Sequence, residues 1–445
     1  MSKLYWELPS SIDLEGFLAK YPPDFRYKTD HFYYIIDYLC RGMEREDLDD
    51  NAGYVNLNAA RLQKVNHNYK KYLDHLLKHR FILTDMKYSV GKKSKGYLIN
   101  SYKEHYSTLT QIEIKDLVVH RHVLEERKAQ NELNDNTRKQ YPHLTKWFEG
   151  LEMDREGALK RLDEIFPEQT GSIRGTRKGK ASDWAKRYRS VQAIEKIMRK
   201  EFYFTLDTSV GRFHSNLTNL KKELRGFVTY QGQRLVNVDI KNSQPLLSTL
   251  LLKKQNYQSN LLETIYHQTY PLPTSISYRS YTIMIVKTLE RIDLQDIEKY
   301  IEFVDTGNFY GEMHQLMYPE MPFDKQKAKS MMFMKFFSNN RYMGQPKAES
   351  KRRFKLFFPS TYEIFRLLKK SDYTALPRIL QRLESMIVIQ NIVPRVAHER
   401  PDLPIFTIHD SLVTTVGNEE YIASIMIEEI KKLTGLDAQL GFEYW

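Results

Sequence analysis

The sequence predicts an α+β protein of two or three domains. Three observations predict it: helices followed by a β-ribbon near the N-terminus, a polar helical middle region, and two pairs of β-prone segments in the C-terminal part. At 445 residues the chain has room for domains of about 150 residues each. We expect domains over residues 1–102, 103–200 and 201–445.

Composition favours a polyanionic partner. The chain carries 68 Lys and Arg against 56 Asp and Glu, a net charge of +12. The single cysteine, Cys40, excludes an internal disulfide and a thiolate metal site. The N-terminal residues lack the apolar stretch of a signal peptide, and no apolar run is long enough to span a bilayer. These features predict a soluble cytoplasmic protein with no membrane partner.

Residues 1–102 are predicted to form a winged-helix-like DNA-binding domain. One segment is predicted to be an amphipathic helix, because its apolar residues recur at helical spacing: Tyr69, Tyr72, Leu73, Leu76 and Leu77. Its polar residues are expected to face solvent: Lys70, Lys71, His75 and Lys78. Two β-prone segments follow, joined by a basic turn that contains Lys92, Lys93 and Lys95. In a winged helix the helix enters a major groove and the wing contacts phosphate. A small helical domain with a solvated lysine hairpin is the alternative.

Residues 103–200 are predicted to form a helical, thumb-like or linker region. The charged run EERKAQNELNDNTRKQ is typical of a solvated helix. Between residues 173 and 190, seven Lys and Arg stand against the single acid Asp183. A flexible basic segment of this kind suits the backbone of a nucleic-acid duplex. A solvated surface loop explains it equally well.

The first chemical motif lies in LRGFVTYQGQRLVNVDIKNSQPLLS. Residues 224–230 and 234–240 are predicted strands joined by a turn at Gln231-Gly232-Gln233. A helix is predicted from Ser243, so Asp239 stands at a strand end where its carboxylate could project into a cleft. Taken singly, such an aspartate is as often a capping or turn residue.

The second motif, LPIFTIHDSLVTT, contains His409-Asp410-Ser411 between two short apolar strands. Hairpin turns usually contain glycine or asparagine, so turn chemistry does not require histidine and aspartate here. If Asp239 and Asp410 stand on neighbouring strands, they offer hard oxygen ligands for two Mg²⁺ ions about 3.5–4 Å apart.

The third motif is FDKQKAKSMMFMKFFSNN. Lys325, Lys329, Phe333 and Phe337 recur every four residues and would form one face of a helix. The lysines could meet a triphosphate and the rings could stack on a base. An amphipathic core helix with solvated lysines is the alternative.

These three motifs, in this order, resemble those of family A DNA polymerases and the related single-subunit phage-type RNA polymerases. The matches are the strand-end Asp239 with Ser243, the basic-aromatic helix, and His409-Asp410-Ser411. A fourth match lies upstream, in the segment that contains Val210-Gly211-Arg212 and Asn216-Leu217-Thr218-Asn219, followed by Arg225. The matches cover about the last 245 residues and imply a right-hand palm, fingers and thumb.

The resemblance implies a role for each matched residue. Asp239 and Asp410 would bind two Mg²⁺ ions, which Mn²⁺ could replace, and Lys329 would contact and protonate the departing pyrophosphate. The remaining roles concern the substrates: nucleotide binding by Lys325, Phe333, Phe337 and Gln244, and template–primer contacts by Arg212, Arg225, His409 and Gln381. The implied partners are a DNA template–primer and nucleoside triphosphates.

Several positions depart from the family pattern. Lysine replaces arginine at residue 325, Phe337 replaces the usual tyrosine, and Ser411 stands where the DNA polymerases have glutamate. Gln244 occupies the place of a bulky residue that obstructs a ribose 2′-hydroxyl, which together with Phe337 favours deoxynucleotides, whereas Ser411 favours ribonucleotides. No exonuclease-like acidic motif precedes the palm motifs, so proofreading is not expected.

We expect a compact DNA polymerase, suited to replication of a phage or other mobile element. An RNA polymerase or primase is the alternative within the same class. A replication initiator or repressor that binds DNA and retains a vestigial palm is the alternative from another class.

Overall fold

The structure is a computed structural model that describes residues 3–43, 54–87, 94–100, 109–167, 183–269 and 278–445. Lys92 and Lys93 of the predicted wing, and the basic residues of segment 168–182, lie outside these ranges. The chain divides into two compact units. The first comprises Met1–Asn136, Leu151–Tyr203 and Asn219–Val228, and the second comprises Thr137–Gly150, Phe204–Thr218 and Thr229–Trp445. The three predicted domains stay a prediction.

Strands are short and mostly antiparallel. In chain order they are β1 (Tyr5–Pro9), β2 (Val55–Asn56), β3 (Ile82–Thr84), β4 (Gly96–Ile99), β5 (Leu109–Glu113), β6 (Leu151–Met153), β7 (Phe204–Leu206), β8 (Phe213–Ser215), β9 (Val228–Tyr230), β10 (Gln233–Ile240), β11 (Phe406–Ile408), β12 (Ser411–Thr415) and β13 (Leu440–Tyr444).

Helices account for most of the remainder. They are α1 (Leu14–Lys20), α2 (Thr29–Met43), α3 (Ala59–Val65), α4 (Tyr69–Lys78), α5 (Leu117–Gln140), α6 (Pro142–Thr145), α7 (Arg155–Ile165), α8 (Asp183–Met198), α9 (Asn216–Asn219), α10 (Ser243–Ser248), α11 (Asn260–Thr269), α12 (Tyr278–Leu289), α13 (Gln295–Asp305), α14 (Phe309–Met317), α15 (Lys325–Phe337), α16 (Glu349–Phe357), α17 (Pro359–Leu368), α18 (Ala375–Ser385), α19 (Val393–Glu399) and α20 (Glu419–Thr434). Within the described ranges, none is long and apolar enough to cross a membrane.

The first unit contains the helices and ribbon that the sequence predicts near the N-terminus. Helices α2, α3 and α4 precede β3, which pairs antiparallel with β4, while β4 pairs with β2. Helix α4 buries Tyr69, Tyr72, Leu73 and Leu76, as its periodicity predicts. The expectation for His75 is wrong: its ring is buried, and its Nε2 lies 2.9 Å from the Tyr21 carbonyl oxygen.

The second unit is organised around β10. This strand pairs antiparallel with β12 over residues 235–239 and with β13 over residues 236–240. Strand β11 extends the sheet beyond β12. Helix α20 packs against β10 and β12. Because β10 has partners on both sides, its inner residues Leu235, Val236 and Val238 are fully buried.

Helix α18 lies beside the elements that carry the motifs. It contacts α10, which follows β10, and it contacts α15. A π-helical segment, Met386–Ile392, joins α18 to α19. Such wide turns within a helix occur frequently at functional sites.

The turn between β9 and β10 is formed by Gln231 and Gly232. Both residues adopt left-handed backbone angles, with φ of 48° and 74°, a pairing that matches the twist of two antiparallel strands. The strand predicted from residue 224 is shorter than expected, because Lys222–Phe227 forms a 3₁₀ helix and β9 begins at Val228.

We expect Gly232→Ala to destabilise the second unit by roughly 1 kcal/mol, since a side chain at positive φ is strained even where space is available. Gly344→Ala, in the same unit, is the matched control, because its added methyl group also meets no atom within 4 Å and its φ is not positive. Urea-unfolding midpoints would measure both. Equal midpoints for the two variants would contradict the assignment of strain to φ.

Candidate active site

Asp239 lies near the end of β10 between two small residues. Its Cα partner is Ser411 on β12 and, on the other side, Gly441 on β13. Val238 and Ile240, which point to the opposite face, are buried, whereas Asp239 is exposed. Both lateral neighbours are small, and the side chain of Lys241, two residues after Asp239, lies 3.7 Å from where a Cβ atom at Gly441 would stand.

Asp410 lies in the turn that joins β11 to β12. Ile408 pairs with Ser411, so the turn consists of His409 and Asp410 alone. His409 has a φ of 57°, in the left-handed region that a non-glycine residue seldom adopts. The Ser411 hydroxyl donates to the Ile408 carbonyl oxygen at 2.8 Å and closes the turn. Asp410 is therefore held, half-buried, at the first position before β12.

The strand register brings the two aspartates to adjacent positions. Directly opposed residues of an antiparallel pair have Cα atoms about 4.5–5.5 Å apart. Asp239 is directly opposite Ser411, and Asp410 is the next residue along the chain. Mg²⁺ usually takes one or two protein carboxylates and completes its shell with water and substrate phosphate, and carboxylates are the ligands that Asp239 and Asp410 offer.

The described residues do not bring three or more metal-ligating side chains together around Asp239 and Asp410. Over the residues that the structure describes, no group of three or more His, Cys, Asp or Glu side chains is arranged to hold a metal ion. A closed structural metal site normally has four protein ligands, which the pair of aspartates alone does not supply.

A second histidine lies beside His409. The ring centroids of His214, on β8, and His409 are 5.9 Å apart with the planes at 72°. The segment that contains β8 also contains Arg212. The part of the fourth motif that contains Arg212, which belongs to the second unit, is thereby brought next to the turn that carries Asp410.

Glu384, on α18, joins the motifs and was missed by sequence reasoning. Its side chain is 1% exposed. Arg212 donates to Glu384 Oε1 from Nε at 3.0 Å and from Nη2 at 2.6 Å. Gln244 donates from Nε2 to Glu384 Oε2 at 2.7 Å. One buried carboxyl group thus holds two of the residues that the sequence had selected.

The environment of Glu384 disfavours its ionised form. Burial raises its pKa to about 7, and the negative charge of Asp410 adds to the rise, whereas the Arg212 and Gln244 contacts oppose it. The pKa of Tyr310 is also raised, first by burial and then by Asp410. In both groups burial is the larger cause of the raised pKa, and the charge of Asp410 adds to it.

A signal for Glu384 was present in the sequence. It is an acidic residue inside the apolar run of α18 and the following π-helical segment. Charged residues are almost never fully buried unless they are paired, so its partners could have been sought. Sequence reasoning selected Gln381 on the same helix instead. Gln381 is half-buried, and its role as a template-reading residue stays a prediction.

Helix α15 begins at Lys325 and ends at Phe337, as the third motif predicts. Lys325 and Lys329 are exposed, and the Lys329 Nζ lies 5.7 Å from the centroid of the Phe333 ring. The lysine face is thus open to solvent, while Ala328 and Met332 pack inward. The Phe337 side chain is outside the described part of the chain.

Two predicted nucleic-acid contacts belong to the first unit. Arg225 is half-buried in the 3₁₀ helix Lys222–Phe227, and Lys95 is exposed just before β4. Lys92 and Lys93 lie outside the described residues. The roles of these four residues stay predictions.

Comparison with known proteins gives weak similarity in shape to solved structures and no match in sequence. No family model and no curated protein matches the chain. Among solved structures, it is similar to the POL domain of Pol1 from M. smegmatis in complex with DNA primer-template and dNTP, with a TM-score of 0.30 and 11% identity. The match covers 59% of this chain and 52% of that chain, so this chain spans about half of that structure. Similarity at this level identifies no residue of the site.

We expect the burial of Glu384 to make stability depend on pH. Because its folded-state pKa of about 7 exceeds the ordinary value of 4.5, the protonated group contributes stability below about pH 4.5 that is lost as pH rises through 7. Glu384→Gln should therefore flatten the pH profile, with a difference between variant and wild type that changes by about 3 kcal/mol at most.

Urea unfolding at pH 5 and pH 8, in chelator, measures this difference. Glu363→Gln, at a half-exposed carboxylate paired with Arg366 on the surface of α17, serves as the control. Parallel pH profiles for wild type and Glu384→Gln would show that Glu384 does not titrate in this range.

Proposed function

We propose that the chain is a template-directed nucleotidyltransferase that extends a nucleic-acid primer, using divalent cations held by Asp239 and Asp410. The observation that carries the proposal is the register of β10 and β12, in which Asp239 is opposite Ser411 and next to Asp410. Two aspartates at neighbouring strand ends, with Ser411 and Gly441 beside Asp239, suit a phosphoryl transfer in which the substrate supplies the remaining metal ligands.

In the proposed phosphoryl transfer, the metal ions and the protein residues have different roles. Bound Mg²⁺ would stabilise the attacking and leaving oxygens of an in-line displacement. Asp239 and Asp410 would hold those ions, and the Ser411 hydroxyl keeps the Asp410 turn closed through its bond to the Ile408 carbonyl. His409, fixed in its unusual backbone conformation, offers a hydrogen-bonding ring beside the primer end.

Lys325 and Lys329 are proposed to contact the triphosphate. Their exposure on one face of α15, and the contact between α15 and α18, support this role. A lysine acts on phosphate as a point charge, which neutralises the charge that develops on the leaving pyrophosphate. Lys329 also has the Phe333 ring at 5.7 Å, a cation–π contact that limits its range of positions.

Deoxynucleotides are the proposed substrates and DNA the proposed template–primer. Gln244 supports this choice, since its side chain is buried and tethered to Glu384, and a fixed bulky group obstructs a ribose 2′-hydroxyl better than a mobile one. Ser411, by its resemblance to the RNA polymerases, still favours ribonucleotides, and its hydroxyl closes the turn.

Asp239→Asn and Asp410→Asn should each lower incorporation of labelled dNTPs on a primed DNA template by roughly 10³-fold, since each removes a charged metal ligand. Template binding, measured by fluorescence anisotropy, should persist. Asp402→Asn is the control, because the Asp402 carboxylate is 74% exposed and pairs with Arg400 on the surface. Undiminished incorporation by either active-site variant would refute the proposal.

The same assay with rNTPs separates the rival functions. Incorporation of rNTPs in preference to dNTPs would assign an RNA polymerase or primase. Template binding without incorporation of either nucleotide, at any Mg²⁺ or Mn²⁺ concentration, would assign a non-catalytic DNA-binding protein.

Lys329→Ala should lower kcat/KM for the nucleotide by about 10- to 100-fold, because it removes a charge-assisted contact to phosphate. Lys327→Ala is the matched control: Lys327 is exposed on the same helix but two residues away, on a different face. Steady-state kinetics on a primed template would measure both variants. An equal loss for the two lysines would indicate a general effect of charge.

A further inference from the structure

Lys241 stands on the same face of the sheet as Asp239. Its backbone N–H donates to the Gln439 carbonyl oxygen at 2.9 Å, so the ladder between β10 and β13 continues one residue past Ile240. Side chains alternate between the two faces of a sheet. Ile240 is accordingly buried on one face, whereas Asp239 and Lys241 are both exposed on the other.

The residue after Lys241 fixes the end of this strand. Asn242 has a φ of 57°, in the left-handed region, and its Nδ2 donates to the Gly307 carbonyl oxygen at 3.0 Å. A non-glycine residue keeps such a backbone conformation when the surrounding structure holds it there. The backbone of Lys241 is therefore held by β13 on one side and by the Asn242 turn on the other.

The Lys241 side chain folds back toward Asp239. The residue across from Lys241 is Gln439, yet the Lys241 Cε lies 3.7 Å, and its Cγ 4.0 Å, from where a Cβ atom at Gly441 would stand. Gly441 is the Cα partner of Asp239, and such partners are about 4.5–5.5 Å apart. The aliphatic stem thus packs across Gly441, and the ammonium nitrogen, one bond beyond Cε, lies beside Asp239.

Among the residues that the structure describes, the Lys241 side chain forms no ion pair and no hydrogen bond. Lys253, by contrast, donates from Nζ to the Thr434 carbonyl oxygen at 2.7 Å. An ammonium group has only donors, so it cannot ligate a metal ion and is repelled by one. Beside an aspartate that binds Mg²⁺, such a group is favourable when an anion lies between it and the ion.

We propose that Lys241 is a substrate-binding residue of the candidate active site, and that its ammonium group donates a hydrogen bond to a non-bridging phosphate oxygen. This inference rests on the proposed nucleotidyltransferase function. The phosphate belongs either to the incoming nucleotide or to the last linkage of the primer, which carry the same kind of oxygen. Lys241 supplies this positive charge from the sheet that carries Asp239, independently of the two lysines on α15.

The first test measures incorporation of dNTPs on a primed DNA template at saturating Mg²⁺. Lys241→Met should lower kcat/KM by roughly 5- to 30-fold, because it removes a charge-assisted contact. Lys241→Arg should stay within about threefold of wild type, because it keeps the charge and the donors. Lys370→Met is the matched control: Lys370 is exposed just after α17, and its loss changes the net charge equally. Equal effects of Lys241→Met and Lys370→Met would overturn the inference.

Binding without bond formation distinguishes the two sources of phosphate. With a primer that ends in a 2′,3′-dideoxynucleotide, Lys241→Met raises the Kd for dNTP if the contact is to the nucleotide. If the contact is to the primer, it raises the Kd for primer–template without nucleotide, and the slope of log Kd against log salt falls by about 1. Lys370→Met should change neither Kd. Unchanged Kd values in Lys241→Met would overturn the inference.

A titration with Mg²⁺ tests a different role for the same charge. If Lys241 instead competes with metal ions for Asp239, Lys241→Met lowers the Mg²⁺ concentration at half-maximal rate and loses no activity at saturating Mg²⁺. That result would overturn the inference and leave the proposed function in place. A wild-type chain that incorporates no nucleotide overturns both. Because Lys241 is exposed, its substitution leaves the core unchanged, and the urea-unfolding midpoint of each variant checks this.

Discussion

The register of β10 is the constraint on which the site depends. Hydrogen bonds to β12 on one side and β13 on the other fix this strand twice. A slip by one residue would turn Val238 outward and Asp239 into the core, at the cost of burying a charge. The hydrogen bonds to both neighbouring strands and the burial of Leu235, Val236 and Val238 oppose such a slip. The carboxylate of Asp239 therefore stays beside the turn that carries Asp410.

The buried carboxyl group of Glu384 connects helix α18 to the segments that carry Arg212 and Gln244. A carboxyl group as deeply buried as that of Glu384 is tolerated because Arg212 and Gln244 supply three hydrogen bonds. Loss of one partner would leave an uncompensated group, so the three segments that supply these residues are held together. The same carboxyl group lies within the electrostatic influence of Asp410, whose negative charge adds to the rise in the pKa of Glu384 that burial causes.

Around helix α15 the buried charged residues are lysines, whereas the buried charged residue beside the sheet is Glu384. Two buried lysines support the backbone that follows its C-terminal end: Lys351 donates to the Asn339 carbonyl oxygen at 2.8 Å, and Lys369 donates to that of Ser338 at 3.2 Å. Burial, aided by the charge of Lys351, lowers the pKa of Lys369 to about 7. Cations near a helix C-terminus are favourable. The end of α15 is therefore anchored, while its first two turns present exposed lysines to solvent.

The sequence by itself determined the local structure: the buried face of α4, the β9–β10 hairpin, the extent of α15 and the positions of both aspartates at strand ends. Hydrophobic periodicity and the residue preferences of turns act over a few residues, so they can be recognised within a single segment of the sequence. Only the tertiary structure decided the register of β10 and the contacts of Glu384, whose partners lie 172 and 140 residues away. It also decided the burial of His75, which its helical position did not predict. Such contacts depend on the joint burial of distant segments, and no local pattern specifies which of them will meet.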